Sequence, residues 1–217
     1  MKRKIIIRTN REAQVPVEVL NNLRRDAFEQ WEKEELYFSF SSDADFACYL
    51  RDKVVFVAQD EETGELLGVH TLKLNKRKGR ANGANLAVSP KAKHEGIASR
   101  MLQAEAQRLR KAGYRYMVGN TAIPATWSVQ WHLKNGYRIM GYSRSERNNY
   151  ASYVFRKQIA IDVRHHPTDL LWTRPVAPIT AKLRYCLTWM ATMVCKDKSG
   201  KLNWLGRMAK KLKASIR

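Results

Sequence analysis

The chain holds only three cysteines, Cys48, Cys186 and Cys195, and no two of them form a C-x-x-C pair or join a ligand cluster. Neither a disulfide framework nor a thiolate metal site is expected, and the thiols read as reduced, in a cytoplasmic protein. No apolar run approaches the roughly 18 residues that a spanning helix needs. Only Ile5, Ile6 and Ile7 separate the basic start from Arg8, well short of the about 7–15 apolar residues of a secretory signal, so none is expected. His165-His166 with Asp169 is too sparse to hold a metal, and no metal is assigned. Internal repeats and low-complexity tracts are missing too. Acidic residues are scarce: 20 Asp and Glu face 40 Lys and Arg, for a net charge of +20 and a pI near 10.1. Such a field attracts polyanions, whether nucleic acid, anionic lipid or small phosphorylated ligands, without choosing among them.

What is present suffices for one core. The 217 residues are 44% hydrophobic with a mean hydropathy of -0.51, which fits a soluble domain with a small appendage. Ile5–Arg8 reads as a short strand. Pro16 opens a helix at its first turn, carrying Leu20, Leu23, Ala27 and Trp31 at helical spacing. Asp43 or Asp45 caps a second, short helix through Leu50. Val54–Ala58 and Leu66–Leu74 form a hairpin about the turn Asp60–Glu65, and Ala84–Val88 is a further strand. Gly96–Ala112 is a helix with Ala98, Leu102, Ala106, Leu109 and Ala112 on one face, closed by Gly113. Tyr114–Gly119 is strand-like and Pro124–Asn135 helical; Tyr137–Tyr142 and Tyr150–Phe155 pair around the polar turn Ser143–Asn149. This order implies a mixed sheet covered by helices.

One segment carries chemistry, from Asn85 to Ser99. Pro90 stops the preceding strand because it cannot continue a ladder. Gly96 and Ala98 keep the turn nearly bare where the helix begins, and Lys93 adds a mobile positive charge. Free N–H groups and the positive end of the dipole make such a helix start a site for phosphate. An ordinary strand–loop–helix connection reads equally well from these residues.

Val88-x-Pro90 followed by Lys93-x-x-Gly96-x-Ala98 resembles the cofactor motif of the GNAT superfamily of acyl-CoA-dependent N-acyltransferases. Ser128–Tyr137 is similar to that family's later helix, which closes on Gly-Phe. The resemblance covers roughly residues 4–158. It implies an α/β (α+β mixed) fold with a mixed, mostly antiparallel sheet flanked by helices. It also implies acetyl-CoA, or another acyl-CoA, as donor. Leu86, Ala87 and Val88 would pair with the pantetheine arm; Lys93, His94, Glu95, Gly96, Ile97, Ala98 and Ser99 would surround the pyrophosphate. The backbone N–H of Val88 would polarise the thioester carbonyl.

There are three departures from the family pattern. Lys93 stands where Arg or Gln is usual. His132 replaces the tyrosine that commonly protonates the departing thiolate, and the strand Ala84–Val88 lacks the glutamate that serves many members as base. His132 is thus the first candidate for proton transfer and His70 the second; each could equally be a packed histidine. The family's acceptor entrance implies Tyr37, Phe38, Phe40 and the turn Ser143–Asn149 on the substrate side. The acceptor would be a primary amine of a small molecule, an amino sugar or a protein.

Residues 1–159 would then form the GNAT-like domain and 160–217 a basic, helical extension. Twelve Lys and Arg there oppose three Asp, carrying +9 of the net +20. Leu202, Leu205, Ala209, Leu212 and Ile216 recur on one helical face beside Lys201, Arg207, Lys210, Lys211 and Lys213. That face suits packing on the enzyme or a second subunit, an anionic membrane surface at the inner face of the membrane, or, less readily, nucleic acid. The rival to an enzyme is a non-catalytic GNAT-like binding module whose tail holds nucleic acid or an anionic membrane.

Overall fold

The computed structural model describes residues 3–33, 40–144 and 151–160. The basic extension, Tyr37, Phe38 and most of the turn Ser143–Asn149 lie outside them.

Seven strands form one sheet among the described residues: β1 (Ile5–Thr9), β2 (Val54–Asp60), β3 (Leu66–Asn75), β4 (Arg80–Val88), β5 (Tyr116–Ala122), β6 (Arg138–Arg144) and β7 (Ala151–Gln158), in the order β1-β2-β3-β4-β5-β7-β6. Every neighbouring pair is antiparallel except β4 with β5. The expected mixed, mostly antiparallel sheet flanked by helices is what the chain forms.

Helices α2 (Val17–Lys33) and α3 (Asp43–Leu50) cover one face of the sheet, α4 (Ile97–Lys111) and α5 (Thr126–Lys134) the other. The pleat sorts the side chains. On β3, Val69 joins Leu20, Leu23, Phe46, Val55, Val57 and Ala87 under α2 and α3, while Gly68 meets Met101 and Ile97 of α4 on the opposite face. Thr71 shares the first face and hydrogen-bonds Tyr49 of α3 at 3.2 Å. The larger core lies on the second face and joins Phe56, Leu72, Met101, Leu102, Met117, Val129, Leu133, Tyr153 and Phe155. Each such side chain contributes roughly 1.5–3 kcal/mol on full burial.

Several element boundaries differ from the sequence reading. Strand β4 begins at Arg80 rather than Ala84, because Arg80–Gly83, polar and small, are recruited by pairing with Leu72–Asn75. Thr9 opens a single helical turn, α1 (Asn10–Ala13), by exchanging hydrogen bonds with Glu12, a capping box that the apolar pattern does not register. Helix α3 is capped by Ser42, whose side chain accepts from the Asp45 N–H at 3.1 Å, and not by an aspartate. Pro16 lies just before α2, its carbonyl accepting from Leu20 N. Strand β5 is displaced toward Ala122, leaving Tyr114 as a buried anchor after Gly113.

The largest correction concerns α4. Its buried residues are Ile97, Met101, Leu102, Glu105 and Leu109, whereas Ala98 and Ala106 are half-buried and Ala112 is exposed. The buried stripe runs through a glutamate.

Candidate active site

The parallel pair β4 and β5 is short. Arg80, Ala81 and Asn82 pair with Tyr116, Met117 and Val118, yet both strands continue, to Val88 and Ala122. Pairing stops at Gly83 and Gly119, so the middle of the sheet opens from there toward the C-terminal ends of both strands. A bulge helps: Val69 pairs with Ala87 and Thr71 with Ala84, one extra residue on β4, with Asn85 at φ 53°. The hydroxyl of Thr71 donates to the Ala84 carbonyl at 2.7 Å and pins the bulge.

The turn after β4 leads from this opening to α4. Ser89 N donates to Leu67 O at 2.9 Å, Pro90–Ala92 make one 3-10 turn, and His94 and Gly96 adopt left-handed backbone at φ 67° and 75°. No side chain caps α4 and no acidic residue sits in its first turn, while Arg108, Arg110 and Lys111 occupy its last. The dipole is thus offset at the C-terminal end and left unopposed at the N-terminal end. Lys93, His94 and Glu95 are exposed, Ala98 and Ser99 half-buried. Ile97 is buried in the core, so only its backbone N–H remains for a ligand. Leu86 and Val88 pack against the larger core and Ala87 against the smaller one, leaving backbone edges rather than side chains along the opening.

Strand β4 thus parts from its parallel neighbour and leads through one turn into a bare helix start. The GNAT acetyltransferase family model matches residues 17–137, more than half of the chain. The chain belongs to that family. Among solved structures, the ribosomal-protein-S18-alanine N-acetyltransferase of Escherichia coli aligns with a TM-score of 0.58 at 12% identity, covering 75% of this chain and 99% of that one. A probable GNAT acetyltransferase of Chromobacterium violaceum aligns at 0.58 with 17% identity, covering 71% and 83%. The spermidine N-acetyltransferase of Vibrio cholerae, in complex with CoA and spermine, aligns at 0.56 with 11% identity, covering 71% and 95%. At such identities these likenesses speak for the fold alone. Among curated proteins none matches.

In this GNAT protein two histidines flank the opening. A Cβ built on Gly83 would lie 2.7 Å from Nε2 of His70, and one on Gly119 would lie 3.4 Å from Nε2 of His132. The two imidazoles, one from β3 and one from α5, therefore rest on Gly83 and Gly119, the first residues at which β4 and β5 no longer pair with each other. Their hydrogen bonds set their tautomers. Nδ1 of His132 lies 2.7 Å from the Ser128 carbonyl, which can only accept; Nδ1 carries the proton and Nε2 the lone pair. The ring stacks on Phe155 at 4.6 Å and meets Trp131 and Tyr137 edge-on at 5.1 Å. Burial first, then the charge of His70, pushes its pKa down to about 4 against the bond to Ser128. In that state His132 accepts protons weakly and has none to give from Nε2 at neutral pH.

His70 is placed differently. Nδ1 lies 2.8 Å from Oε2 of Glu105, with the residues 5% and 0% exposed. Oε1 of Glu105 has no hydrogen-bond partner. Tyr137, buried at the start of β6, keeps its phenolic proton more tightly than usual because of burial and the charge of Glu105.

On the acceptor side, Phe40 packs 5.1 Å from Phe46 and 4.9 Å from Tyr49, and the guanidinium of Arg24 lies 4.7 Å from its ring. Arg24 is wholly buried, with Nε donating to Asn21 at 2.8 Å, and Asn21 donates in turn to Asp43 at 2.6 Å. Tyr37 and Phe38 lie outside the described residues, and Phe40 packs within the helix–helix contact. Two buried ionisable residues, Arg24 and Glu105, escaped the sequence reading. For Glu105 a signal existed: Ile97, Met101, Glu105 and Leu109 recur every four residues, the spacing of one helix face. Among the described residues no group of three or more metal-ligating side chains comes together.

Proposed function

We propose that this GNAT protein transfers an acyl group, acetyl in the first instance, from acyl-CoA to a primary amine. The observation that carries the reading is the parting of β4 from β5 at Gly83 and Gly119, with β4 leading through one turn to an uncapped helix that has no acidic residue in its first turn. The pantetheine arm would pair along Leu86–Val88, and the pyrophosphate would accept hydrogen bonds from the N–H groups around Gly96, Ile97 and Ala98. Lys93 would add its charge there. The N–H of Val88 would polarise the thioester carbonyl. The amine nitrogen would then attack, and the thiolate, whose parent thiol has a pKa of about 8.5, would leave.

Amine acceptors are in keeping with the relatives, one named for a protein alanine and one holding spermine beside CoA. The amine must shed a proton, and His70 is better built than His132 to take it, because Glu105 holds Nδ1 and leaves the Nε2 lone pair against Gly83, where the sheet opens. A positioned base of this kind contributes about 10²–10⁴-fold. The catalytic unit is proposed to span residues 1–159: Ile159 still packs into the core, and its N–H donates to Arg115 O at 2.9 Å. Residues 160–217 would form a separate basic extension, and the protein would work in the cytoplasm or at the inner face of the membrane.

Calorimetry with acetyl-CoA, followed by thiol release across an amine library, tests the reading. Binding of acetyl-CoA with thiol release that depends on an amine is the expected result. Binding without release points to the non-catalytic module, and no binding overturns the donor assignment.

A further inference from the structure

We infer that Glu105 is a positioning residue that makes His70 the general base, an assignment that rests on the acyl-CoA reading above. Three observations converge on it. A fully buried carboxylate on a helix is costly unless it is paired, and Glu105 pairs with a histidine through one oxygen only. The bond from Nδ1 to an ionised carboxylate requires Nδ1–H and leaves the lone pair on Nε2. That same Nε2 lies against Gly83, the residue at which the sheet opens, where the missing side chain gives it room.

A purely structural role accounts poorly for this set. A leucine at 105 would continue the apolar stripe of Ile97, Met101 and Leu109 without burying a charge, and nothing in β3 requires an imidazole between Gly68 and Leu72.

The ionisable groups that interact with His70 are Glu105 from α4 and His132 from α5; Tyr137, just before β6, interacts with Glu105, and β2 offers Phe56 opposite His70. His132 stays neutral through the working range, so Glu105 is the anion that compensates a proton on His70.

The acceptor ammonium gives one proton to Nε2 of His70, forming an imidazolium held by Glu105. The amine nitrogen forms a C–N bond to the thioester carbonyl carbon, and the C–S bond breaks. The new amide nitrogen has lost two protons in all: one ends on the CoA sulfur, and the other passes from His70 to solvent.

Histidine side-chain nitrogen NMR on the full chain with CoA bound is the test, alongside calorimetry with CoA. The wild type is expected to show Nδ1–H and a bare Nε2 at His70 at neutral pH. Glu105→Gln is expected to release the ring from the Nδ1–H tautomer, so that Nε2–H appears in the side-chain spectrum, with CoA affinity changed less than about threefold. Glu105→Asp, which keeps the carboxylate, should restore part of the Nδ1–H population. With any amine that supports turnover, Glu105→Gln should lower kcat about 10²-fold while the KM for acetyl-CoA stays within about threefold. A tautomer unmoved by Glu105→Gln, or an Nε2–H tautomer in the wild type, overturns the proposal while leaving CoA binding intact. Absence of CoA binding in the wild type instead overturns the acyl-CoA reading, whatever the tautomer. If Glu105→Gln fails to fold, the wild-type tautomer alone decides, Nδ1–H supporting the proposal and Nε2–H ending it.

Discussion

The imidazole of His70 occupies the space that a side chain on Gly83 would need. Nε2 lies 2.7 Å from the position of a Cβ there, and Cε1 lies 2.9 Å from it. Two residues on adjacent strands are therefore matched by size: a strand glycine makes room for a ring that the carboxylate of Glu105 holds in place.

Gly83→Ala is consequently expected to damage chemistry more than folding. The added methyl must push the ring aside, and the ring is fixed by its bond to Glu105 at 2.8 Å. A loss of kcat of about tenfold or more is expected, since displacements near 1 Å at a reacting group cost up to about 10²-fold. CoA affinity should hold within about threefold. Turnover equal to wild type would show that the ring position is immaterial.

His132 should give stability a pH dependence of definite sign. Its pKa of about 4 lies below the ordinary imidazole value of 6.5, so the unfolded chain binds the extra proton first as acid is added. The contribution is complete above about pH 6.5 and is lost as pH falls toward 4, amounting to roughly 2–3 kcal/mol. Urea melts at pH 7 and pH 4.5 should show this slope in the wild type and a shallower one in His132→Phe. Parallel slopes would contradict the account.

Gly96 tests the proposed cofactor turn separately from the proposed base. A Cβ there meets nothing within 4 Å, yet the backbone sits at φ +75°. Gly96→Ala should therefore cost about 1–2 kcal/mol through backbone strain alone. It should also weaken acetyl-CoA binding, because the N–H groups of the helix start lose their aim. Thermal melts and calorimetry measure the two effects. Unchanged affinity beside a lowered Tm would separate the turn from the cofactor.

Arg24 anchors α2 to α3. Its guanidinium lies 4.7 Å from the Phe40 ring and 5.3 Å from that of Phe46, within a fully buried site. Arg24→Ala is expected to destabilise by about 3 kcal/mol through the cavity and the lost cation–π contacts. Lysine should recover little, because it cannot present a planar face to both rings. Denaturant midpoints of the two variants provide the check.

The chain's own residues determined much before any packing was known. Pro90 ends a strand and Gly96 and Gly113 bracket a helix, because these are local properties of backbone geometry, and Lys93-x-x-Gly96-x-Ala98 carries the resemblance to the family's motif. The strand-like runs Val54–Ala58 and Leu66–Leu74 on either side of the turn Asp60–Glu65 sufficed for the hairpin. What only the tertiary structure decided is non-local. The parting of β4 and β5 depends on pairing between strands 36 residues apart in sequence. The burial of Glu105 depends on which face of α4 meets the sheet, and small alanines at 98 and 106 made the neighbouring face look equally apolar. The tautomers of His70 and His132 depend on partners at Glu105 and Ser128 that no spacing reveals for the first of them. The bare helix start after Pro90 was thus legible in sequence, because turn and helix signals act locally. The pairing of His70 with Glu105 was not, because only folding brings together residues 35 positions apart.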